Sequence, residues 1–318
     1  MPNTLIWIPK RLVETSLLNI AALNPASFAK YCEQEYVHRV NNAAAATVES
    51  GASVIMLSGP SASGKTTTAH KVSARLKQIG IESAVVSLDC FYKDISEYPL
   101  LQNGKPDYES INALDVAAVN RAVCELCEKG ETPIPDFDFK SEQRTRTQTL
   151  LKLNGGVAVI EGIHALNPIL TDALPHKKVY RIYAGLREEY SFDGQRAIST
   201  RDIRLIRRMI RDVQFRGHSI DKTLDMWDAV CSAEDKLVKA FKQDADILLD
   251  TSFSYEPNVI AGFVQDFKAQ IDPSGAHAEQ FAQLCRNFDT CTAINTDFVP
   301  KNSILREFLG GYEELINN

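Results

Sequence analysis

No stretch of this sequence is long and apolar enough to read as a membrane span, and the opening "MPNTLIWIPKRLVETS" lacks the extended apolar core of a secretion signal. A soluble, cytoplasmic protein without membrane attachment is the expectation. Cysteine is sparse: seven residues, an odd number scattered over 318 positions, in a chain too long to need cross-links. Reduced thiols are therefore the default. The closest pair, Cys124 and Cys127 in "VAAVNRAVCELCEKG", lies in a helical pattern with no second CxxC and no nearby histidine, so helix packing is preferred to zinc. An excess of positive charge is missing as well. With 35 basic against 41 acidic residues the chain has no general attraction for nucleic acid or an anionic surface, and any basic site must be local. Internal repeats and low-complexity linkers are absent. So are the Asn-Lys-x-Asp motif of guanine-nucleotide switches and the Leu-Ser-Gly-Gly-Gln signature of transporter ATPases.

What is present is a composition that buries a full core, 44% hydrophobic and 24% charged. Within it lies "LSGPSASGKTTTAH", where Gly59 is followed after four residues by Gly64, Lys65 and Thr66. Backbone amides in such a glycine-rich turn can all point inward at an anion. Ser61, Ser63 and Thr67 belong to the same candidate cradle. The lysine suits outer phosphates, the Thr66 hydroxyl suits Mg²⁺, and the helix starting there adds its positive dipole end. Apolar "SVIML" before the glycines reads as a strand, and "TTTAHKVSARLKQIG" after them as a helix closed by Gly80.

Further apolar runs at Ala84–Leu88, Val157–Ile160, Val179–Tyr183 and Ile247–Leu249, separated by several amphipathic stretches, predict a parallel sheet covered by helices. Asn154-Gly155-Gly156 between two β-type runs predicts a hairpin. Residues 1–50 read as a mostly helical extension preceding the first strand, residues 51–256 as the α/β domain, and residues 257–318 as a helical C-terminal extension packed on the same domain.

In an open parallel sheet the ligand lies beyond the carboxyl ends of the strands. Asp89 follows "SAVVSL" and Glu161 follows "GVAVI". A carboxylate there can orient Mg²⁺ or accept a proton from an attacking hydroxyl; the plain alternative is a solvated loop acid. "STRDIRLIRRMIRDVQFRG" carries Arg201, Arg204, Arg207, Arg208, Arg211 and Arg216. Helical spacing sets Arg201, Arg204, Arg208 and Arg211 in one stripe opposite Ile206, Ile210 and Val213. Such a stripe can be a solvated face, an RNA contact, or, in a phosphate-cradle protein, a lid whose guanidinium groups neutralise charge on a transferred phosphoryl group.

"GPSASGKTT", "SLDCFYKD", "PIPDFDF", "VIEGIHAL" and "RLIRRMIRDVQFRG" occur in the order and approximate spacing of the uridine kinase and phosphoribulokinase family, and the resemblance covers roughly Ser53 to Glu256. Longer segments, "ISTRDIRLIRRMIRDVQFRG", "TLDMW" and "VPKNSILREFLGG", resemble a bacterial nucleoside (uridine) kinase-like branch whose members often carry extra N-terminal domains, which this chain is expected to lack. "REEYSFDGQRAIST" resembles an insertion relative to the compact uridine-cytidine kinases. The resemblance implies a P-loop NTPase fold with an arginine-bearing lid helix, and ATP and Mg²⁺ as cofactors. The reaction it implies is phosphorylation of a hydroxyl on a nucleoside or a related small sugar-like metabolite. Carried over by position, Asp89 is the general base, Thr66 and Glu161 serve the metal, Arg208 is a substrate-side lid arginine, and Arg211 and Arg216 are phosphate-side ones. On the acceptor side the resemblance implicates Tyr92 and Arg208. Glu109 stands where the family has a ribose-binding Asp, Phe137 where it has a base-contacting Tyr, Glu142 where it has a base-reading His, and His218 where it has an Arg. A small-molecule acceptor is the expected partner, with self-association left open.

Overall fold

The computed structural model describes residues 9–101, 104–138, 141, 143–171 and 178–311. The chain enters through a short strand β1 (Arg11–Glu14) and two helices, α1 (Thr15–Ala21) and α2 (Pro25–Ser50), before the first strand of the main sheet, β2 (Val54–Ser58). The glycine-rich loop leads into α3 (Lys65–Gln78) and then β3 (Ser83–Ser87). After α4 (Val116–Lys129), β4 (Glu131–Asp138) and β5 (Gln143–Lys152) form an antiparallel pair. β6 (Val157–Glu161), a single turn α5 (Pro168–Thr171) and β7 (Val179–Gly185) return to the main sheet. A small hairpin of β8 (Glu188–Phe192) and β9 (Gln195–Ile198) precedes α6 (Thr200–Phe215) and α7 (Ile220–Leu237). The last main-sheet strand, β10 (Ile247–Asp250), is followed by α8 (Glu256–Lys268), α9 (Ala278–Phe288) and the short α10 (Arg306–Leu309).

The five main strands are parallel, in the order β10-β7-β2-β6-β3, so the loop-bearing strand β2 is central. All five are apolar runs singled out in the sequence. β2 and β6 are buried along their whole length because helices cover both faces, which is why they show no polar alternation. One face packs on α2 and α3 through Tyr36, Ile55, Leu57, Val72 and Leu76. The other packs on α4 and α5 through Met56, Ile160, Val123 and Leu170. Cys124 and Cys127, on α4, pack against this second core. A third core joins α6, α7, α8 and α9 through Ile206, Met209, Trp227, Val264 and Phe281.

Local signals explain the helix ends. Asp115 caps α4 by accepting from the Ala118 amide, and Gly130 in the left-handed region ends it. Ser199 and Asp202 form a reciprocal capping box at α6.

Two expectations are corrected. The turn at Asn154-Gly155 does not make a hairpin, because β5 pairs with β4 while β6 inserts between β2 and β3. Glycine and asparagine supply the positive φ that any reversal needs, so the turn chemistry alone does not identify the partner strand. Nor does the first strand follow the mostly helical N-terminal segment, which itself contains β1. β1 pairs in parallel with β8, Arg11 opposite Glu188, so the inserted hairpin becomes a three-stranded sheet with the N terminus. Its four residues are too few to show a periodic pattern.

α6 is seated deep in the molecule. Arg204, Arg207 and Arg208 are 3%, 1% and 7% exposed, which rules out a solvated basic face for these three. Arg207, left off the predicted stripe, is the most buried. Its Nη2 donates to Glu256 Oε2 at 2.7 Å, its Nη1 to the Ala62 carbonyl and its Nη2 also to the Thr251 carbonyl, both at 3.2 Å, and its guanidinium lies over the Phe308 ring. Arg207→Ala would strand the Glu256 carboxylate, itself 1% exposed, without its partner. A loss of about 3–5 kcal/mol is expected in urea unfolding, against under 1 kcal/mol if the pair were dispensable.

Candidate active site

The loop between β2 and α3 is shaped by close backbone approach. A Cβ on Gly59 would lie 2.1 Å from the Ala184 carbonyl oxygen of β7, so only glycine lets the chain pass there. Ala62 (φ +57°) and Gly64 (φ +82°) both sit in the left-handed region. Alternating handedness turns consecutive amides inward as an anion nest, and a non-glycine residue held at positive φ is backbone strain stored in the loop. Ser63 Oγ is buried inside this loop with no hydrogen-bond partner among the described residues. An enclosed cradle with an unused hydroxyl fits a phosphate chain.

At the carboxyl ends of β6 and β3 lie the two carboxylates. Glu161, 3% exposed, accepts from Thr66 Oγ1 at 3.3 Å and from Ser87 Oγ at 2.8 Å. Burial pushes its pKa up, Lys65 opposes the rise and Asp89 adds to it. Asp89 sits in the short 3-10 turn Leu88–Phe91, which Ser87 caps. Burial raises its pKa as well, with Lys65 and Arg216 pulling the other way. Thus Lys65, Asp89 and Glu161 act on one another electrostatically, and Thr66 bonds to the last of them.

Among the described residues no group of three or more His, Cys, Asp or Glu side chains is placed to hold a metal alone. One buried carboxylate, a second acid beside it and a threonine hydroxyl form the sparse oxygen set that suits Mg²⁺, which completes its shell with water and phosphate oxygens.

α6 faces the same space. Arg208 Nη1 donates to Ser61 Oγ at 3.1 Å. Arg208, Arg211 and Arg216 all gather on Asp212, at 3.3, 3.0 and 3.6 Å. Asp212 is fully buried, so one carboxylate holds three guanidinium groups and leaves a local positive surplus. Burial lowers the pKa of Arg208, and Arg211 adds to the effect; Arg216 is lowered by the same two causes.

The residues expected on the acceptor side include an aromatic wall. Tyr92 lies 5.9 Å from Phe137 and 5.8 Å from Tyr98, which in turn meets Tyr108 edge-on at 5.5 Å. Phe137 arrives there on β4, because the β4–β5 pair packs over the Leu88–Phe91 turn and is tied down by the Arg144 amide donating to Asp94 Oδ1 at 2.8 Å. Glu109 is close to Arg208 and Lys65, and burial raises its pKa against their pull. His218 lies near Asp212, Arg216 and Arg208, and burial with neighbouring Lys222 lowers its pKa. Glu142 falls outside the described residues.

Several residues here were not anticipated from sequence. His164, three positions after Glu161, is 1% exposed beside Glu109, and burial lowers its pKa to about 4, so it is neutral at pH 7. Glu234 of α7 accepts from the Ser61 amide at 2.8 Å and holds Arg204 with both oxygens, at 2.7 and 2.9 Å. From the C-terminal segment, Glu307 Oε2 accepts from Thr67 Oγ1 at 2.7 Å, and the Asn302 carbonyl accepts from Lys71 Nζ at 2.6 Å. A carboxylate recurring in an acidic chain gives no local signal of such long-range pairing. His164 was within reach, since it lies in a recognised motif directly after a sheet-edge acid.

Among relatives, the uridine kinase of Proteus mirabilis is 30% identical over 199 residues, spanning 62% of this chain and 85% of that protein. The uridine kinase of Clostridium novyi is 26% identical over 197 residues, with 62% and 86% covered. A solved structure described as a possible uridine kinase from Bacillus stearothermophilus is 16% identical with a TM-score of 0.45, covering 67% of this chain and 98% of that one. Residues 54–180 and 196–254 match a single family, and the unmatched interval between them contains the whole of β8. With well over half of its length matched, the chain belongs to the phosphoribulokinase / uridine kinase family.

Proposed function

We propose that this chain transfers the terminal phosphoryl group of ATP to a hydroxyl of a nucleoside or a related small sugar-like metabolite. The observation that carries the reading is the meeting of Lys65, Thr66, Asp89 and Glu161 at the carboxyl end of the sheet, with three arginines gathered on Asp212 opposite. In this reading the amides from Gly59 to Thr66, with Ser61, Ser63 and Thr67, hold the phosphates, and Lys65 places its charge on the outer ones. Thr66 and Glu161, with Asp89, would hold Mg²⁺, which when bound neutralises charge on the phosphate oxygens. Asp89 orients the acceptor hydroxyl and takes its proton as the new oxygen–phosphorus bond forms and ADP departs. Arg208, Arg211 and Arg216 stabilise the charge on the moving group. Little further chemistry is required, since positioning and electrostatics supply most of the acceleration.

A nucleoside base can lie against the wall of Tyr92, Phe137 and Tyr98. A second reading, a non-nucleoside hydroxy metabolite, is favoured by Glu109, Phe137 and His218, which replace the hydrogen-bonding groups used by pyrimidine kinases. A site that selects through buried hydrogen bonds changes its ligand when those groups change. Seven free thiols suit a reducing, cytoplasmic setting. Among the described residues no helix is long and apolar enough to cross a membrane.

Acceptor-dependent ADP release, screened over nucleosides, ribose derivatives and small polyols, tests the reading directly; no release with any of them counts against it. Asp89→Asn should leave ATP binding intact and lower single-turnover transfer by about 10²–10⁴-fold. Transfer within about threefold of the parent, well below that range, would remove Asp89 as the base. Because burial raises the Asp89 pKa, and a base must be unprotonated, the acid limb of the kcat/KM profile should lie above the ordinary aspartate value of about 4. Arg211→Ala and Arg216→Ala should each lower kcat, on the order of 10²-fold, with little change in melting temperature. Normal turnover in both would reject their role.

A further inference from the structure

On the outer side of the phosphate loop is a second cavity, of about 410 Å³, bounded by Pro60, Tyr183 and Leu186. Its charged lining is unusual for a chain of net charge −6. Lys10 precedes β1, Arg187 links β7 to β8, and Arg196 comes from β9. Arg201 and Arg204 descend from the start of α6, and Lys239 and Lys242 rise from the 3-10 turn Lys239–Asp244. Among the described residues, seven cations from separate parts of the chain thus face one cavity, against the single lining carboxylate of Glu189.

For four of these cations nearby acids compensate the charge only in part. Glu189 is shared by Lys10 and Arg196, and Asp235 by Arg201 and Lys239, so each of these carboxylates serves two cations. Glu234 is matched one to one by Arg204. Lys242 lies over the Tyr183 ring at 5.3 Å, and Arg187, Lys10 and Lys239 act on it as like charges. Burial and those neighbours press its pKa down to about 8. Arg187 is 5% exposed; Asp250 stabilises its charge, Glu189 adds to that, and Arg11 opposes it. Cations confined together in this way are stabilised by a shared anion with several oxygens.

We propose that this cavity is a second anion site, distinct from the phosphate loop, that binds a compact polyanionic metabolite bearing a diphosphate or two phosphate groups. Its volume lies in the range of small-molecule sites, roughly 300–1,000 Å³. Its concave lining suits a compact anion better than an extended nucleic-acid backbone or a flat lipid surface. The site does not depend on the N-terminus of α6, whose cap is already closed by Ser199 and Asp202. Through Arg204, which donates to the Ser61 carbonyl at 2.8 Å, the cavity touches the loop from behind.

The test is calorimetric titration with inorganic pyrophosphate and, separately, with a sugar bisphosphate. Four proteins are compared: the parent, Lys65→Ala, Lys239→Gln/Lys242→Gln, and the combination. The parent should show two classes of saturable binding. Lys65→Ala should weaken one of them, and Lys239→Gln/Lys242→Gln should weaken the other by at least tenfold while leaving ATP binding and turnover as in the parent. Should the double variant not fold, Arg196→Gln, whose side chain is 62% exposed, should weaken the same class severalfold. The proposal is overturned if Lys65→Ala abolishes all binding, if loss of the pocket cations changes nothing, or if the second class is displaced by ATP. None of these outcomes depends on whether an acceptor has been found.

Discussion

The phosphate loop holds its shape because buried guanidinium groups are bonded to it from outside, and each of those groups is in turn held by a buried carboxylate. Arg204 reaches the Ser61 carbonyl and is gripped by Glu234, which also takes the Ser61 amide; Arg207 reaches the Ala62 carbonyl and is gripped by Glu256. Removing four charged groups from water is costly, and their mutual attraction offsets that cost only with good geometry and satisfied hydrogen bonds. The result is less a source of net stability than a means of fixing one arrangement. Ala62 stays in the left-handed region because the surrounding contacts leave it no alternative. The position of α6, and with it Arg208, Arg211 and Arg216, follows from these two pairs.

That arrangement separates the charges by task. Arg204 and Arg207 are each paired with a carboxylate of their own, whereas Arg208, Arg211 and Arg216 share one carboxylate and retain a surplus of positive charge. On the opposite side Glu161 and Asp89 are pressed upward in pKa by burial, so they stay ionised most readily with cations beside them. Lys65 acts on both. The site therefore pairs two acids that favour added positive charge with three arginines that favour added negative charge, the complementarity that a metal-bound phosphate chain between them would satisfy.

Much of this was legible in the sequence. All five main strands are runs visible as apolar segments, and Asp89 and Glu161 are recognisable because each directly follows one. The glycine spacing marks the loop, since close approach to Ala184 tolerates no side chain at Gly59. What escaped is what local pattern does not encode. Glu234 lies 30 residues from Arg204, Glu256 lies 49 from Arg207, and Glu307 lies 240 from Thr67. The turn at Asn154 misled because reversal chemistry is the same whether the next strand pairs with the last or leaves for another sheet. The arginine stripe was drawn correctly by helical geometry, yet burial depends on what packs around the helix, and α7, α8 and α10 cover even the side where Arg207 projects.

The two halves of the site are held by different physical means, which bears on how acceptor choice is set. The phosphate side is made largely of backbone: amides, positive φ, and carbonyls accepting from arginines, none of which changes with a surface side chain. The expected acceptor side is made of side chains carried by the β4–β5 pair and the segments around Tyr92 and Tyr108, held by bonds that include Arg144 to Asp94 and Asp115. The side chains of Phe137, Glu109 and His218 take no part in the bonds from Arg204 and Arg207 to the loop or in the arginine contacts on Asp212. In the proposed reading phosphoryl transfer and acceptor selection are therefore mechanically separable, and the polar groups near the aromatic wall include the half-buried Glu109 and the buried, neutral His164. A ligand whose hydroxyls reach inward to those two groups, with an apolar face toward Tyr92 and Phe137, meets the physical demands of this half.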